Sequence, residues 1–88
     1  MATLFKTNGE KKYLKPRRRG RFSLEELQKA VGGFIQYVPA GESHYMIVDE
    51  DGLDKHLPVN VDATAVIRQF GGPAIVGDAV FAEKNEIL

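Results

Sequence analysis

The chain predicts an α+β fold, a small antiparallel or mixed sheet carrying two short helices in the order β-β-α-β-β-(β)-α-β. Three observations carry that expectation. Asn8-Gly9 separates two short segments and is a strong hairpin signal. Two stretches repeat apolar residues at helical spacing, and each is closed by a glycine pair, at 32–33 and 71–72. The crossovers are also too few for a doubly wound sheet. At 88 residues the chain fits a single domain, 1–88.

The N-terminal hairpin spans 2–14, with strands over Ala2 to Thr7 and Glu10 to Leu14. A two-residue type I′ turn needs positive φ at both Asn8 and Gly9. It would set Thr7 opposite Glu10, Lys6 opposite Lys11 and Leu4 opposite Tyr13. Residues 15–21 form a basic loop, broken by Pro16 and Gly20. Ser23-Leu24-Glu25-Glu26 reads as a capping box, with Phe22 and Leu27 placed for a hydrophobic staple. Leu24, Leu27, Gln28 and Val31 share a helical face, and Glu25 pairs with Lys29 on the outside.

A strand follows over Phe34 to Val38, then a turn at Pro39-Ala40-Gly41-Glu42. The next strand, Ser43 to Val48, puts Tyr45 and Ile47 on one face and His44, Met46 and Val48 on the other. Asp49-Glu50-Asp51-Gly52 reads as a solvated acidic turn, and Leu53 to Leu57 as a short strand closed by Pro58. Asn60 or Asp62 caps a second helix whose Ala63, Val66, Ile67 and Phe70 share a face. A last apolar strand runs from Ala74 to Ala82, interrupted at Gly77-Asp78. Residues 83–88 are expected as a tail, frayed from Lys84 onward.

Composition narrows the chemistry. The 43% hydrophobic content suits a packed core, and the absence of cysteine excludes disulfides, thiolate metal sites and thiol nucleophiles. The first residues show no apolar run of signal-peptide length, and no stretch approaches the roughly 20 apolar residues of a membrane span. A cytoplasmic protein with no membrane partner is expected. Net charge is zero but segregated: residues 1–21 hold eight cations against Glu10, and residues 22–88 hold four cations against eleven acids. That asymmetry suggests an anion-seeking arm.

Catalysis finds little support. Asp49 to Asp54 has its glycine at the wrong position for a calcium loop, and His44 and His56 lack zinc spacing, so no metal or other cofactor is expected. Ser23 is committed to a cap. Ser43 and His44, adjacent in a strand, would point to opposite faces and could not pair as nucleophile and base. The acidic turn would be too exposed to raise a carboxyl pKa. Phosphate-loop glycine motifs are missing, since both glycine pairs follow helices. A non-enzymatic binding protein is therefore expected. Its best candidate ligand groups are Lys12, Lys15, Arg17, Arg18, Arg19 and Arg21, with guanidinium forks suited to phosphate. Tyr13, Tyr37 and Tyr45 are candidates to stack on a base. The alternative is a solvated basic loop that complements the acidic remainder.

One series of residues carries a resemblance. Leu24-Glu25-Glu26-Leu27-Gln28, Val31-Gly32-Gly33, Val48-Asp49-Glu50-Asp51-Gly52, Leu57-Pro58, Asn60, Ala63-Thr64 and Ile75-Val76-Gly77-Asp78 together resemble domain-of-unknown-function family 3846. The likeness covers roughly residues 2–82. It implies a small accessory protein of phages, plasmids and other mobile elements, and it brings no activity and no catalytic residues. It points to Gln28, Gly33, Leu57, Pro58, Asn60, Thr64, Gly77 and Asp78. Each has a structural explanation as cap, helix stop or turn, except Gln28, whose place on an apolar face calls for a buried bond to backbone. The Arg17–Arg21 cluster lies outside the family pattern.

The leading functional expectation is a phage-type protein that counters host defence by sequestering an anionic nucleotide signal. So small a chain has little room for a deep cavity, so the pocket would sit between subunits of a homo-oligomer. A second expectation is a nucleic-acid-binding or regulatory protein using the basic N-terminal segment. A third is an inhibitor that recognises a host enzyme.

Overall fold

Alternation along the strands decides the architecture. Five strands form one antiparallel sheet in the computed structural model, which describes residues 1–17 and 19–87. They are β1 (Ala2–Phe5), β2 (Lys11–Leu14), β3 (Ile35–Ala40), β4 (His44–Asp49) and β5 (Ala79–Glu83). Two helices, α1 (Leu24–Val31) and α2 (Val61–Arg68), complete the α+β fold. The strand order is β2-β1-β5-β4-β3, so the last strand pairs with the first and β2 and β3 form the edges.

Both sheet faces are covered. Leu4, Ile47, Val80 and Ala82 meet Leu27 and Val31 of α1 on one face. Phe5, Met46, Val48 and Ala79 meet Ala63 and Ile67 of α2 on the other. The helices thus lie on opposite faces, and the division of β4 into Tyr45/Ile47 and His44/Met46/Val48 holds. Leu27, Met46, Ile47, Ile67 and Val80 are each under 2% exposed. Full burial of such a side chain contributes about 1.5–3 kcal/mol.

α1 starts where its capping box sits. Ser23 Oγ accepts from the Glu26 amide at 3.2 Å, and Glu26 Oε1 accepts from the Ser23 amide at 3.1 Å. Gly32 (φ 85°) ends the helix in the left-handed region. Of the expected apolar face, Leu27 and Val31 are buried but Leu24 is 54% exposed. Asn60 caps α2, accepting from the Ala63 amide at 3.0 Å. Phe70 lies past the end of α2 and is exposed.

Several expectations are corrected. The hairpin is shifted by one residue: Thr3 pairs with Tyr13, Leu4 with Lys12 and Phe5 with Lys11. Gly9 takes positive φ (92°) and Asn8 does not, so the turn is not type I′. The Lys6 carbonyl accepts from Gly9, and the Lys6 amide donates to Glu10, which gives a three-residue loop with a glycine bulge. The third strand runs on through Pro39-Ala40, because Pro39 sits on an edge where its missing N–H costs little. Leu53 to Leu57 forms turns, not a strand; Lys55 donates to Asp51 and Leu57 to Gly52. Val76 makes an isolated bridge to Val59, and the final strand starts only at Ala79, after Gly77 turns the chain at φ 78°. Leu88 lies outside the described residues, and over 83–87 the tail is not frayed. Lys84–Glu86 is a 3₁₀ turn, and Ile87 bridges to Phe22. Glu86 is buried and accepts from the Met1 amine, while its carbonyl accepts from Phe22.

Candidate functional site

α1 packs over β3, β4 and β5 and leaves the same face of β1 and β2 less covered. The consequence is a cleft of about 450 Å³ between β2, the basic loop and α1. Its apolar wall is Leu4, Leu14, Phe22, Leu27 and Ala30, and its polar groups are Tyr13, Lys15, Arg17, Glu26 and Lys29. Glu26 is occupied in the capping box, accepting from the Ser23 amide and hydroxyl at 3.1 and 3.2 Å. Three cations, Lys15, Arg17 and Lys29, are all exposed.

The expected ligand groups divide. Lys15 and Arg17 come together at this cleft, which Tyr13 borders from β2 with its side chain on the other sheet face. Lys12, Arg19 and Arg21 are exposed nearby in the chain but do not line it. Arg18 lies outside the described residues. Tyr37 and Tyr45 pair with each other, rings 5.0 Å apart, on β3 and β4. Tyr45 is three strands from β2, about 14 Å at ordinary strand spacing, and it carries Lys84 Nζ over its ring at 4.9 Å. These tyrosines therefore cannot share a monomer pocket with Tyr13. Lys29 was missed, because its spacing from Glu25 assigns it to the solvent side of the helix.

The family-pattern residues serve the scaffold. Asn60 Nδ2 donates to the Phe5 carbonyl at 2.8 Å and the Gly77 carbonyl at 2.9 Å. Thr64 Oγ1 accepts from the Ile75 amide at 2.9 Å. Asp78 accepts from Thr7 in the hairpin turn at 2.9 Å. The Pro58 carbonyl accepts from Gly77. Gln28 is half-buried, and it is its backbone carbonyl that accepts, from Gly32 and Gly33. Gly33 is not the helix stop. A Cβ there would lie 2.8 Å from Asp49 Oδ2 and 2.7 Å from Lys55 Nζ, so the position needs empty space.

Asp49 itself departs from expectation. It is buried and receives Lys55 Nζ and the Asp51 amide, each at 2.8 Å. Burial pushes its carboxyl pKa up, but the bonds from Lys55 and Asp51 and the lysine charge outweigh that and hold it below the ordinary value. The Asp49 bond raises the Lys55 pKa in turn. Asp49 is a charged structural anchor, not a candidate acid.

Ser43 and His44 are hydrogen-bonded, Oγ to Nδ1 at 2.7 Å. Ser43 sits in the turn before β4, so strand alternation does not separate the two. Ser43 is exposed, and the half-buried His44 ring lies stacked on Phe81. Neither residue lines the cleft.

A smaller hollow of about 200 Å³ lies on the α2 face between β3 and the 73–76 segment. No helix of the described residues is long and apolar enough to cross a membrane. No curated protein and no solved structure matches the chain. A family model does match, over residues 4–87, and by it the chain belongs to the family described as Domain of unknown function (DUF3846).

Proposed function

We propose that this protein is a non-enzymatic binder of an anionic, nucleotide-like ligand, held in the cleft between β2 and α1. The observation that carries the reading is the pairing of an apolar wall with three exposed cations, Lys15, Arg17 and Lys29, at one opening. A nucleotide has the matching parts: an apolar ring face for the wall and phosphates for the cations. The cleft is open to solvent, so a second subunit closing it would raise affinity. Within this reading, sequestering a host nucleotide signal is the physiological role that suits an accessory protein of a mobile element.

Titration calorimetry against a nucleoside diphosphate, a cyclic dinucleotide and inorganic phosphate tests it. At least one nucleotide binds more tightly than phosphate. The paired substitution Lys15→Ala with Arg17→Ala weakens that nucleotide tenfold or more. Equal affinity in the paired variant, or no heat with any nucleotide, overturns the reading.

A further inference from the structure

The face that carries α2 has an open aromatic shelf at its β2 side. One register line crosses Tyr13, Thr3, Phe81 and Met46, on β2, β1, β5 and β4 in turn. Exposure falls along that line: Tyr13 is 71% exposed, Thr3 and Phe81 are half-buried, and Met46 is 0% exposed. Met46 belongs to the core beneath α2, so the helix seals the β4 end and leaves the β2 end open. His44, also half-buried, stacks on Phe81 with ring centroids 4.8 Å apart and planes 7° apart. Three rings therefore share a ledge, with a threonine as spacer between Tyr13 and Phe81.

Charge selects the occupant. Lys11 lies two residues before Tyr13 on the same face of β2, and Lys15 and Arg17 follow it. Glu50, Asp51 and Asp54 follow the far end of β4, opposite to the end of the strands that Leu14 and Ala2 share. Glu83, across from His44, is the carboxylate at the margin. The ledge is thus bordered by cations along its open edge.

We propose that this shelf binds single-stranded nucleic acid, with bases stacked on Tyr13 and on the Phe81–His44 pair and phosphates meeting Lys11, Lys15 and Arg17. Tyr13 and Phe81 are two strands apart, about 10 Å at ordinary strand spacing. That exceeds the roughly 3.4 Å rise between bases of a duplex strand. Only an unstacked strand can set bases on both rings, which excludes a duplex from this mode of binding. The shelf is on the opposite sheet face from the cleft wall, and the two meet only at the β2 edge.

Fluorescence anisotropy of a labelled twelve-residue oligothymidine in 50 mM salt is the test. The single strand binds at least tenfold more tightly than a duplex of equal length. Its affinity falls with salt at a logarithmic slope of about two, as expected for three neutralised phosphates. Tyr13→Ala, an exposed edge change, weakens binding about tenfold. Thr3→Glu, which sets a carboxylate between the rings, weakens it by at least as much, with the melting temperature of each variant confirming the fold. Thr3 lies on the shelf and does not line the cleft, so unchanged affinity in Thr3→Glu would overturn the shelf. So would equal duplex affinity, unchanged affinity in Tyr13→Ala, or no binding at 100 μM protein.

Discussion

Asn60 holds the hairpin to the second helix through Phe5: its Nδ2 donates to the Phe5 carbonyl at 2.8 Å across 55 residues of sequence. The same amide donates to Gly77 and its oxygen caps α2, with the residue 0% exposed. One side chain thereby joins β1, the turn before β5 and the start of α2. Asn60→Ala removes a cap, worth about 1 kcal/mol, and leaves two buried carbonyls without this donor, each costing about 1–3 kcal/mol. A total loss of about 3–7 kcal/mol and a melting point lowered by more than 10 °C are expected for a chain this size. Asn60→Asp keeps the cap acceptor but sets a carboxylate against two carbonyl oxygens. It melts no higher than Asn60→Ala, whereas a residue that acted only as a cap would tolerate aspartate.

Gly33 and Asp49 make a second dependence, this one steric. An alanine Cβ at 33 meets Asp49 Oδ2 at 2.8 Å and Lys55 Nζ at 2.7 Å. The lysine end swings aside at little cost, but Asp49 is short, buried and fixed by the Asp51 amide. Gly33→Ala should cost about 1–3 kcal/mol, in the range of core overpacking. In a Lys55→Ala background part of that cost remains, because the clash with Asp49 persists. Chemical denaturation of the two single variants and the double variant measures the coupling.

The Asp49–Lys55 pair also gives stability a pH dependence with a definite sign. The folded carboxyl lies below its ordinary value of 3.8. Its contribution is therefore present above that value and lost as pH falls through the folded pKa. The folded ammonium lies above its ordinary 10.5, so its contribution is present below that value and lost as pH rises through the folded pKa. Lys55 is 43% exposed at its side chain, which limits the alkaline effect through solvent screening. Urea midpoints at pH 7, 4 and 2.5 should show Asp49→Asn less stable than the native chain at neutrality, with the gap closing in acid. A gap that stays constant across that range would mean the carboxylate is not what Lys55 and Asp51 stabilise.

What the sequence made legible was local. The capping box from Ser23 to Glu26 joins neighbours three residues apart, and its pattern is specific enough to place a helix start. Alternation in β4 assigned Met46 and Ile47 to opposite faces, and each joins a different core. What escaped was set by distant partners. Leu53 to Leu57 has strand-like composition, yet the turn bonds to Asp51 and Gly52 take its amides. The tail looked frayed because nothing in Lys84 to Ile87 shows that Phe22 and Met1 wait for Glu86. At the cleft, Lys15 and Arg17, singled out by their charge, lie together. Tyr37 and Tyr45 failed as their partners because sheet order, a non-local property, puts β3 and β4 away from β2.

The C-terminal segment yields a direct test of that lesson. Ile87 is half-buried and packs on the core of the α1 face, next to Phe22. A frayed tail would tolerate any change there. Ile87→Ala should instead cost about 1–2 kcal/mol, less than a fully buried isoleucine because the site is partly open. A melting point lowered by several degrees fits, and an unchanged one would restore the frayed tail.

The hairpin turn separates conformational cost from steric cost. Gly9 adopts φ 92°, and a Cβ there would meet nothing within 4 Å. Gly9→Ala therefore tests backbone strain alone, about 1–2 kcal/mol for a left-handed residue. Gly9→Asn recovers part of that loss, since asparagine tolerates this region better than alanine. The one-residue shift of the hairpin makes a further demand on Asp78, which accepts from Thr7 at 2.9 Å and ties the turn to the start of β5. Without that acceptor, the Asn8-Gly9 pair is free to close as a two-residue type I′ turn, which would turn every side chain of β2 to the opposite face. Asp78→Ala should thus disturb β2 more than β1, since β5 still pairs with β1 from Thr3 to Phe5. Amide exchange reads the difference. Faster exchange at the β1–β2 pairs with retained protection between β1 and β5 is expected, and uniform loss across the sheet would show that Asp78 supports the whole fold instead of the register of its edge.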